Sequence, residues 1–157
     1  MRLVESTDTD ISRLKEMWYA LALDMEQYSE LNTLRFNSVE EVPSDAFITQ
    51  NESDDPTDYL ITVDNTVVGF VTIRLGKNPS FDKSDYLEIL NLYIKEMHQG
   101  SGFGSEALEL LKEKAEDEGM DFIKVSFESN NTGAEQFYEK NDFIPKQKTF
   151  VHQVSDD

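Results

Sequence analysis

Residues 86–105 carry the sequence YLEILNLYIKEMHQGSGFGS, an apolar run followed by a glycine-rich turn. The first nine residues are apolar at odd and even positions alike, except at Glu88 and Asn91, which is typical of a central strand covered on both faces. Glycine then stands at three alternate positions, Gly100, Gly102 and Gly104. Such glycines allow a tight turn and leave consecutive backbone N–H groups uncovered. At the start of a helix these groups favour a phosphate or pyrophosphate, although the same turn can also be purely structural.

Hydrophobic periodicity predicts the elements on both sides of this stretch. Apolar residues at spacings of three and four indicate helices, and short alternating or continuous apolar runs indicate strands. Strands are predicted over residues 2–5, 59–64, 67–75, 86–94, 121–127, 143–144 and 148–154. Helices are predicted over residues 8–25, 26–41 and 131–140, and a further helix follows the glycines and ends near residue 118. An exposed loop is predicted at 51–58 and a hairpin turn at 64–66. This order describes a mixed α/β fold in a single domain over residues 1–157.

The chain is strongly acidic, with 32 acidic and 14 basic residues and a formal net charge of −18. Such a polyanion would be repelled by nucleic-acid phosphates and by anionic membrane surfaces, so neither is expected as a partner. Two explanations of the charge stay open: a solvated surface suited to high intracellular salt, and the attraction of a cationic substrate. Cysteine is absent, which excludes disulfides, thiolate metal sites and a catalytic cysteine.

Neither a targeting segment nor a metal site is predicted. The first ten residues lack a positive region followed by an apolar run, and no stretch approaches the roughly 18 apolar residues of a membrane span. We therefore expect a cytoplasmic protein. His98 and His152 stand alone, and Asp54, Asp55 and Asp58 lack the spacing of a calcium loop, so no metal is expected.

Two motifs resemble those of the GNAT superfamily of N-acetyltransferases. Residues 99–104 fit its acyl-CoA signature, Arg/Gln-x-x-Gly-x-Gly/Ala at a strand–helix junction, and residues 131–140 fit a second stretch of the form N-x-x-A-x-x-F/L-Y-E-K. The resemblance implies a mixed, mostly antiparallel central sheet of six to seven strands flanked by about four helices. Two positions depart from the pattern: Gln99 replaces the commoner arginine, and Asp142 stands where the family usually has glycine.

The resemblance also implies a set of residues that bind acetyl-CoA. Backbone groups of Leu92 and Ile94 would hydrogen-bond the pantetheine arm, and Asn131 would contact the same part of the molecule. Lys140 or Lys95 would approach the 3′-phosphate. The pyrophosphate would be held by the backbone amides of Gln99, Gly100, Ser101, Gly102, Phe103, Gly104 and Ser105.

The candidate catalytic residues are Tyr138 and Glu88. The resemblance implies that Tyr138 protonates the leaving thiolate; alternatively, it is a half-buried aromatic of an amphipathic helix. An amine must lose a proton before it attacks, and Glu88 is the candidate base, because burial among apolar neighbours would make its carboxylate a better proton acceptor. Alternatively, Glu88 is an acid at the solvent edge of the strand. The backbone N–H of Tyr93 or Leu92 would stabilise the oxyanion.

The expected function is direct transfer of an acetyl group from acetyl-CoA to a primary amine within a ternary complex, because no cysteine is available to carry the group. The acceptor is a small molecule or a peptide, and the negative charge favours a cationic one. Two alternatives stay open: a non-catalytic acyl-CoA-binding sensor or regulatory module on the same fold, and a different acyl donor. By analogy with the superfamily, the alternating residues 149–154 would offer an edge for a homodimer.

Overall fold

The two longest strands of the chain form a hairpin at the centre of the sheet. The structure is a computed structural model that describes residues 1–47 and 56–155. Its strands are β1 (Arg2–Glu5), β2 (Thr57–Val63), β3 (Thr66–Lys77), β4 (Asp85–Ile94) and β5 (Phe122–Val125). Its helices are α1 (Ile11–Met25), α2 (Phe103–Asp117) and α3 (Thr132–Lys140).

The strands of the described residues lie in the order β1-β2-β3-β4-β5. The first three pairs are antiparallel and β4 pairs with β5 in parallel, because α2 carries the chain back across the sheet. The predicted hairpin turn is confirmed: Asp64 and Asn65 adopt left-handed backbone angles, with φ of 51° and 65°, between β2 and β3. Such angles at two consecutive residues match the twist of a two-residue hairpin.

Side-chain alternation divides the core between the two faces of the sheet. Neighbouring residues point to opposite faces of a strand, so Ile61 and Val71 join one cluster whereas Leu60 and Phe70 join the other. The first cluster packs against α2, whose buried residues are Ala107, Leu108, Leu111 and Ala115, and against Tyr138 of α3. The second packs against α1 through Leu14 and Met17.

The helix predicted over residues 26–41 is wrong. The structure has three short 3₁₀ turns there instead, at Glu26–Tyr28, Glu30–Asn32 and Val39–Glu41. Polar side chains occupy the backbone groups that a helix would need: the Ser29 hydroxyl accepts from the Leu31 N–H (3.1 Å) and the Glu26 carboxylate accepts from the Leu34 N–H (2.9 Å). Such side-chain-to-backbone bonds compete with helix formation.

The strands predicted over residues 143–144 and 148–154 are also wrong. In the described part of the chain no strand follows α3, and the side chains of Ile144 and Phe150 are largely exposed. The described residues therefore contain five strands and three α-helices, not six to seven strands and about four helices. Of the predicted loop over 51–58, residues 51–55 lie outside the described residues, and Asp58 lies within β2.

Candidate active site

The pairing between β4 and β5 ends halfway along β4. They pair from Tyr86 opposite Phe122 to Ile89 opposite Val125, and β4 then continues alone to Ile94. At the far end, the Lys95 N–H donates to the Val68 carbonyl of β3 (2.8 Å). Since backbone groups alternate in direction along a strand, those of Leu92 and Ile94 point away from β3, into the opening beside β5. These are the two residues that the sequence predicts to contact pantetheine.

The side chain of Gln99 spans from the glycine loop back to β4. Its Nε2 donates to the Ile94 carbonyl (2.8 Å), and its backbone N–H donates to the Glu96 carbonyl (3.2 Å) within a 3₁₀ turn over Glu96–His98. The backbone N–H of Gln99 and one of the two N–H bonds of its side-chain amide are therefore engaged within the protein. Gln99 thus links the glycine loop to the end of β4.

The glycine loop presents open backbone at the start of α2. Gly102 is the N-cap residue of the helix with φ of 83°, Gly100 has φ of 82°, and no atom lies within 4 Å of where a Cβ would stand on either. Glu106 N–H donates to the Gly102 carbonyl (3.1 Å) as the first bond of the helix. The N–H groups of the three preceding residues, Phe103, Gly104 and Ser105, therefore have no partner within α2 and suit an anion.

Helix α3 closes the opening from the other side. Asn131 caps it, with Oδ1 accepting from the Ala134 N–H (3.0 Å), so its amide nitrogen is not used by the cap. A Cβ on Gly104 would stand 3.1 Å from the Phe137 ring, so the glycine allows α2 and α3 to approach closely at this end. Lys140 lies nearby, with Nζ 6.0 Å from the centre of the Phe137 ring.

Tyr138 is enclosed by aromatic rings. Its ring stacks on Phe127 (centroids 5.5 Å apart, planes 9° apart) and meets Phe137 and Phe143 edge-on at 5.0 and 5.3 Å. Within the described residues its hydroxyl has no hydrogen-bond partner, yet the oxygen is not sealed from solvent. Burial raises the pKa of Tyr138 to about 12. The residue thus offers a protonated donor without an internal acceptor.

Glu88 lies on the opposite face of the sheet from α2, in an ion pair. Its Oε1 accepts from the Arg74 guanidinium on β3 (2.5 Å), and its side chain is 12% exposed. The hydrogen bond and charge of Glu88 raise the pKa of Arg74. The surroundings of Glu88 are therefore those of a paired anion, and not the apolar neighbours that the strand pattern predicts.

A row of three polar residues across β2, β3 and β4 was missed in the sequence. Asn91 Nδ2 donates to Thr72 Oγ1 (3.2 Å), and the Thr72 hydroxyl donates to Asp58 Oδ1 (2.5 Å). Burial raises the pKa of Asp58, and the Thr72 hydrogen bond opposes part of that rise. Asn91 was the one available signal, since it is one of two polar residues in the apolar run of β4. Its partners depend on strand register.

Two loops meet above the face of the sheet that carries this row and Glu88. Asn32 Nδ2 donates to Glu128 Oε1 (3.1 Å), and Asn130 Nδ2 donates to the Tyr28 carbonyl (3.1 Å). These bonds tie the segment after α1 to the segment after β5. Tyr93 lies on this face against Phe70, and burial, followed by the charges of Glu96 and Asp24, raises its pKa. The glycine loop with α2 therefore lies on one face of the sheet, and the acidic residues Glu88 and Asp58 lie on the other.

The structure groups most of the residues that the sequence predicts, and it separates others. Leu92, Ile94 and Phe103 pack against the core cluster that contains Tyr138, Gly104 lies beside Phe137, and Asn131 caps the helix that carries Tyr138. Glu88 instead lies on the opposite face of the sheet, paired with Arg74. Among the described residues no three His, Asp or Glu side chains converge as metal ligands, and no described helix has the length and apolar character to cross a bilayer. Cytoplasmic location stays a prediction.

Several solved structures share the fold of the chain at low sequence identity. A mutant of the BH1408 protein from Bacillus halodurans matches with a TM-score of 0.82 and 16% identity, covering 99% of this chain and 100% of that one. A ribosomal-protein-alanine N-acetyltransferase from Brucella melitensis biovar Abortus 2308 matches at 0.72 and 14%, covering 98% and 99%. An aminoglycoside acetyltransferase from an uncultured soil metagenomic sample, in complex with sisomicin, matches at 0.66 and 13%, covering 98% and 95%.

Comparison of the sequence with family profiles identifies the family, which the structural matches at low identity do not. No curated protein matches the chain. The profile of the acetyltransferase (GNAT) family matches residues 19–143, which include the opening beside β4, the glycine loop and Tyr138. The chain therefore belongs to the acetyltransferase (GNAT) family.

Proposed function

We propose that the protein transfers the acetyl group of acetyl-CoA directly to a primary amine. The observation that carries the proposal is the meeting of two sets of backbone groups, those of β4 beyond Ile89 and those of the first turn of α2, at one opening. The open space over Gly100 and Gly102 fits a pyrophosphate close to the backbone. Membership of the family supports the same donor.

The donor would be held by backbone groups more than by charged side chains. The unpaired N–H groups of Phe103, Gly104 and Ser105 would bind the pyrophosphate, and backbone groups of Leu92 and the N–H of Ile94 would bind the pantetheine arm. The Ile94 carbonyl already accepts a hydrogen bond from Gln99, so it is less available to the pantetheine arm. The amide nitrogen of Asn131 would donate to the same arm, and Lys140 would approach the 3′-phosphate.

The reaction joins the amine nitrogen to the carbonyl carbon and breaks the carbon–sulfur bond. The N–H of Leu92 would stabilise the oxyanion, whereas that of Tyr93, the other sequence candidate, points toward β3. Because the pKa of Tyr138 is about 12 and that of an ordinary thiol is near 8.5, a thiolate does not readily take the phenolic proton. Tyr138 would therefore assist the leaving sulfur chiefly by donating a hydrogen bond.

The amine would approach from the face of the sheet that carries Glu88 of β4 and Asp58 of β2. Glu88 would accept the proton that the ammonium form must lose, and would keep its carboxylate oriented through Arg74. The acidic surroundings would favour a cationic small molecule or a peptide amine. Among the structural neighbours, the aminoglycoside acetyltransferase in complex with sisomicin is in keeping with such an acceptor.

Substitution of Gly102 tests the donor site. Acetyl-CoA at about 100 times its Kd should stabilise the wild type by about 2.7 kcal/mol, seen as a rise in Tm of a few degrees. Gly102→Ala places a Cβ beside the open backbone and should lose most of that rise. The matched control is Gly119→Ala, which has the same kind of left-handed backbone (φ of 72°) at the far end of α2 and should keep it. Equal responses of the two variants would contradict the donor site.

Tyr138→Phe tests the hydrogen bond to sulfur. The hydroxyl has no internal partner, so the variant should fold as well as the wild type and bind acetyl-CoA equally. We expect kcat to fall about 10²-fold, the usual cost of one lost donor to developing charge. The measurement is the release of the free thiol of CoA with a panel of primary amines. Because the protein has no cysteine, its own side chains add no thiol signal to this assay. Tyr59→Phe is the control. If the wild type binds acetyl-CoA but acetylates no amine, the non-catalytic sensor module would be favoured instead.

The raised pKa of Tyr138 also predicts how stability depends on pH. Burial makes the folded state hold the phenolic proton more tightly than the unfolded chain, whose tyrosines titrate near 10. Its contribution to stability is complete below about pH 10 and is lost as the pH rises toward about 12. Between these values the wild type should lose about 2–3 kcal/mol more unfolding free energy than Tyr138→Phe, as measured by urea unfolding. If the unfolding free energies of the wild type and Tyr138→Phe fall in parallel as the pH rises, the Tyr138 hydroxyl is well solvated in the folded state.

Glu88→Gln tests the proton acceptor. The amide cannot take a proton from the amine, so kcat should fall about 10²-fold or more while the Kd for acetyl-CoA stays unchanged. Glu109→Gln is the matched control, because Glu109 is also paired, to Lys112 on α2 (3.0 Å), but lies away from β4. Unchanged turnover in Glu88→Gln would identify Glu88 as an acid with no part in catalysis.

A further inference from the structure

Each hydrogen bond in the row of Asp58, Thr72 and Asn91 has a defined direction. An ionised carboxylate accepts hydrogen bonds and donates none, so the Thr72 hydroxyl gives its single proton to Asp58 (Oγ1 to Oδ1, 2.5 Å). The Thr72 oxygen can then only accept, and it accepts from Asn91 Nδ2 (3.2 Å). Asp58 therefore determines, through Thr72, which end of the Asn91 amide is turned toward β3.

The other end of this amide is free. Among residues 1–47 and 56–155, Oδ1 of Asn91 has no hydrogen-bond partner, and the side chain is only half-buried. An amide oxygen has two lone pairs, so it can accept from a molecule that reaches this face of the sheet. A flip of the amide is disfavoured, because it would place Oδ1 against the Thr72 oxygen, with two acceptors facing each other.

An extra residue in β4 brings Asn91 and Glu88 to the same face of the sheet. Residues three positions apart on a regular strand point to opposite faces. The register shift beside Thr72 leaves Leu90 without a partner on β3, and the alternation of side chains restarts after it. Asn91 therefore shares its face with Tyr93, which packs on the α1 side, and Glu88 lies on that side too.

The free oxygen of Asn91 stands beside the groups that the proposed reaction uses. Along β4, Asn91 lies between Glu88, the proposed proton acceptor, and Leu92, whose N–H would hold the oxyanion. A primary amine that has given one proton to Glu88 keeps two N–H bonds and a lone pair. A hydrogen bond from one of them to a fixed acceptor restricts rotation of the nitrogen, and so can direct its lone pair at the carbonyl carbon.

We propose that Asn91 binds the acceptor amine through Oδ1, and that Thr72 and Asp58 are positioning residues that keep this oxygen turned toward it. The inference rests on the proposed function, because the amine is the substrate of that reaction. If the row loses its carboxylate, the Thr72 hydroxyl can donate to Asn91 Oδ1 instead, and the amide then presents Nδ2. A donor facing the N–H groups of the amine would weaken its binding and misdirect its lone pair.

Thr72→Val and Thr72→Ser form a matched pair that tests the row. Valine has nearly the shape of threonine and suits a strand, but it has no hydroxyl. In Thr72→Val we expect kcat/KM for the amine to fall about 10-fold, the usual worth of one oriented hydrogen bond, while the KM for acetyl-CoA stays unchanged. Thr72→Ser keeps the hydroxyl and should recover most of the loss, as measured by release of the CoA thiol. Equal losses in the two variants would overturn the role of the hydroxyl.

Asp58→Asn tests whether the carboxylate sets the orientation. The new amide can donate to Thr72 and so lets the row run the other way, and we expect a loss similar to that of Thr72→Val. The matched control is Asp85→Asn: Asp85 also accepts from a hydroxyl, that of Ser84 (2.7 Å), but lies at the far end of β4. Asp85→Asn should keep the kcat/KM of the wild type. If Asp58→Asn keeps it as well, the proposed role of Asp58 is wrong.

A double-mutant cycle separates positioning from a general loss of structure. Asn91→Ala should lose about as much kcat/KM for the amine as Thr72→Val, and on top of Asn91→Ala neither Thr72→Val nor Asp58→Asn should cost more. Additive losses would show that Thr72 and Asp58 act apart from Asn91, and would overturn the inference alone. A wild type that releases no thiol with any amine would instead overturn the proposed function, and the inference with it.

Nuclear magnetic resonance gives a readout that does not depend on turnover. The side-chain amide signals of Asn91 are identified by their absence in Asn91→Ala. They should shift in Thr72→Val and Asp58→Asn, and stay near their wild-type positions in Asp85→Asn. In the wild type they should also respond when CoA is present and the amine that is acetylated fastest is added. Signals that ignore an amine which the enzyme acetylates would contradict its contact with Asn91.

Discussion

The proposed site depends on one structural constraint: beyond Ile89, β4 no longer pairs with β5. Pairing with β5 ends at Val125, and the backbone groups of Leu92 and Ile94 are left facing an opening. In water-excluding surroundings an unpaired backbone group is costly, so such an opening is stable only where solvent or a ligand can satisfy it. In the proposed site the glycine loop and α3 line the same opening, and their uncovered donors would add to its affinity for an extended, anionic molecule.

The local structure of the proposed acetyl-CoA site could be predicted because it depends on local sequence, whereas the binding itself stays a prediction. The glycines at 100 and 102 act through their own backbone angles, and Asn131 acts through a cap three residues long. Family membership, likewise predicted from two short motifs, is confirmed. Elements whose existence depends on distant contacts were predicted poorly. Residues 148–154 have the alternation of a strand, but alternation does not provide a neighbouring edge within the chain.

The acceptor half could not be predicted, because two irregularities set which side chains face it. Counted back from the turn at Asp64 and Asn65, Asp58 would stand opposite Val71, but a register shift between Ile61 and Thr62 places it opposite Thr72. A second shift, beside Thr72 and Ile73, aligns Asn91 with the same threonine. A shift of one residue moves a side chain to the other face of a sheet, and neither shift has a clear signal in the sequence.

These register shifts divide the protein into two parts that can change separately. One inserted or deleted residue in the β2–β3 hairpin would exchange the row of Asp58 and Thr72 for the side chains of the opposite face. The glycine loop, α3 and the free half of β4 would be untouched, since none of them is in the hairpin. A scaffold of this kind can acquire new acceptor chemistry by small changes of length, while the machinery for the common donor stays in place.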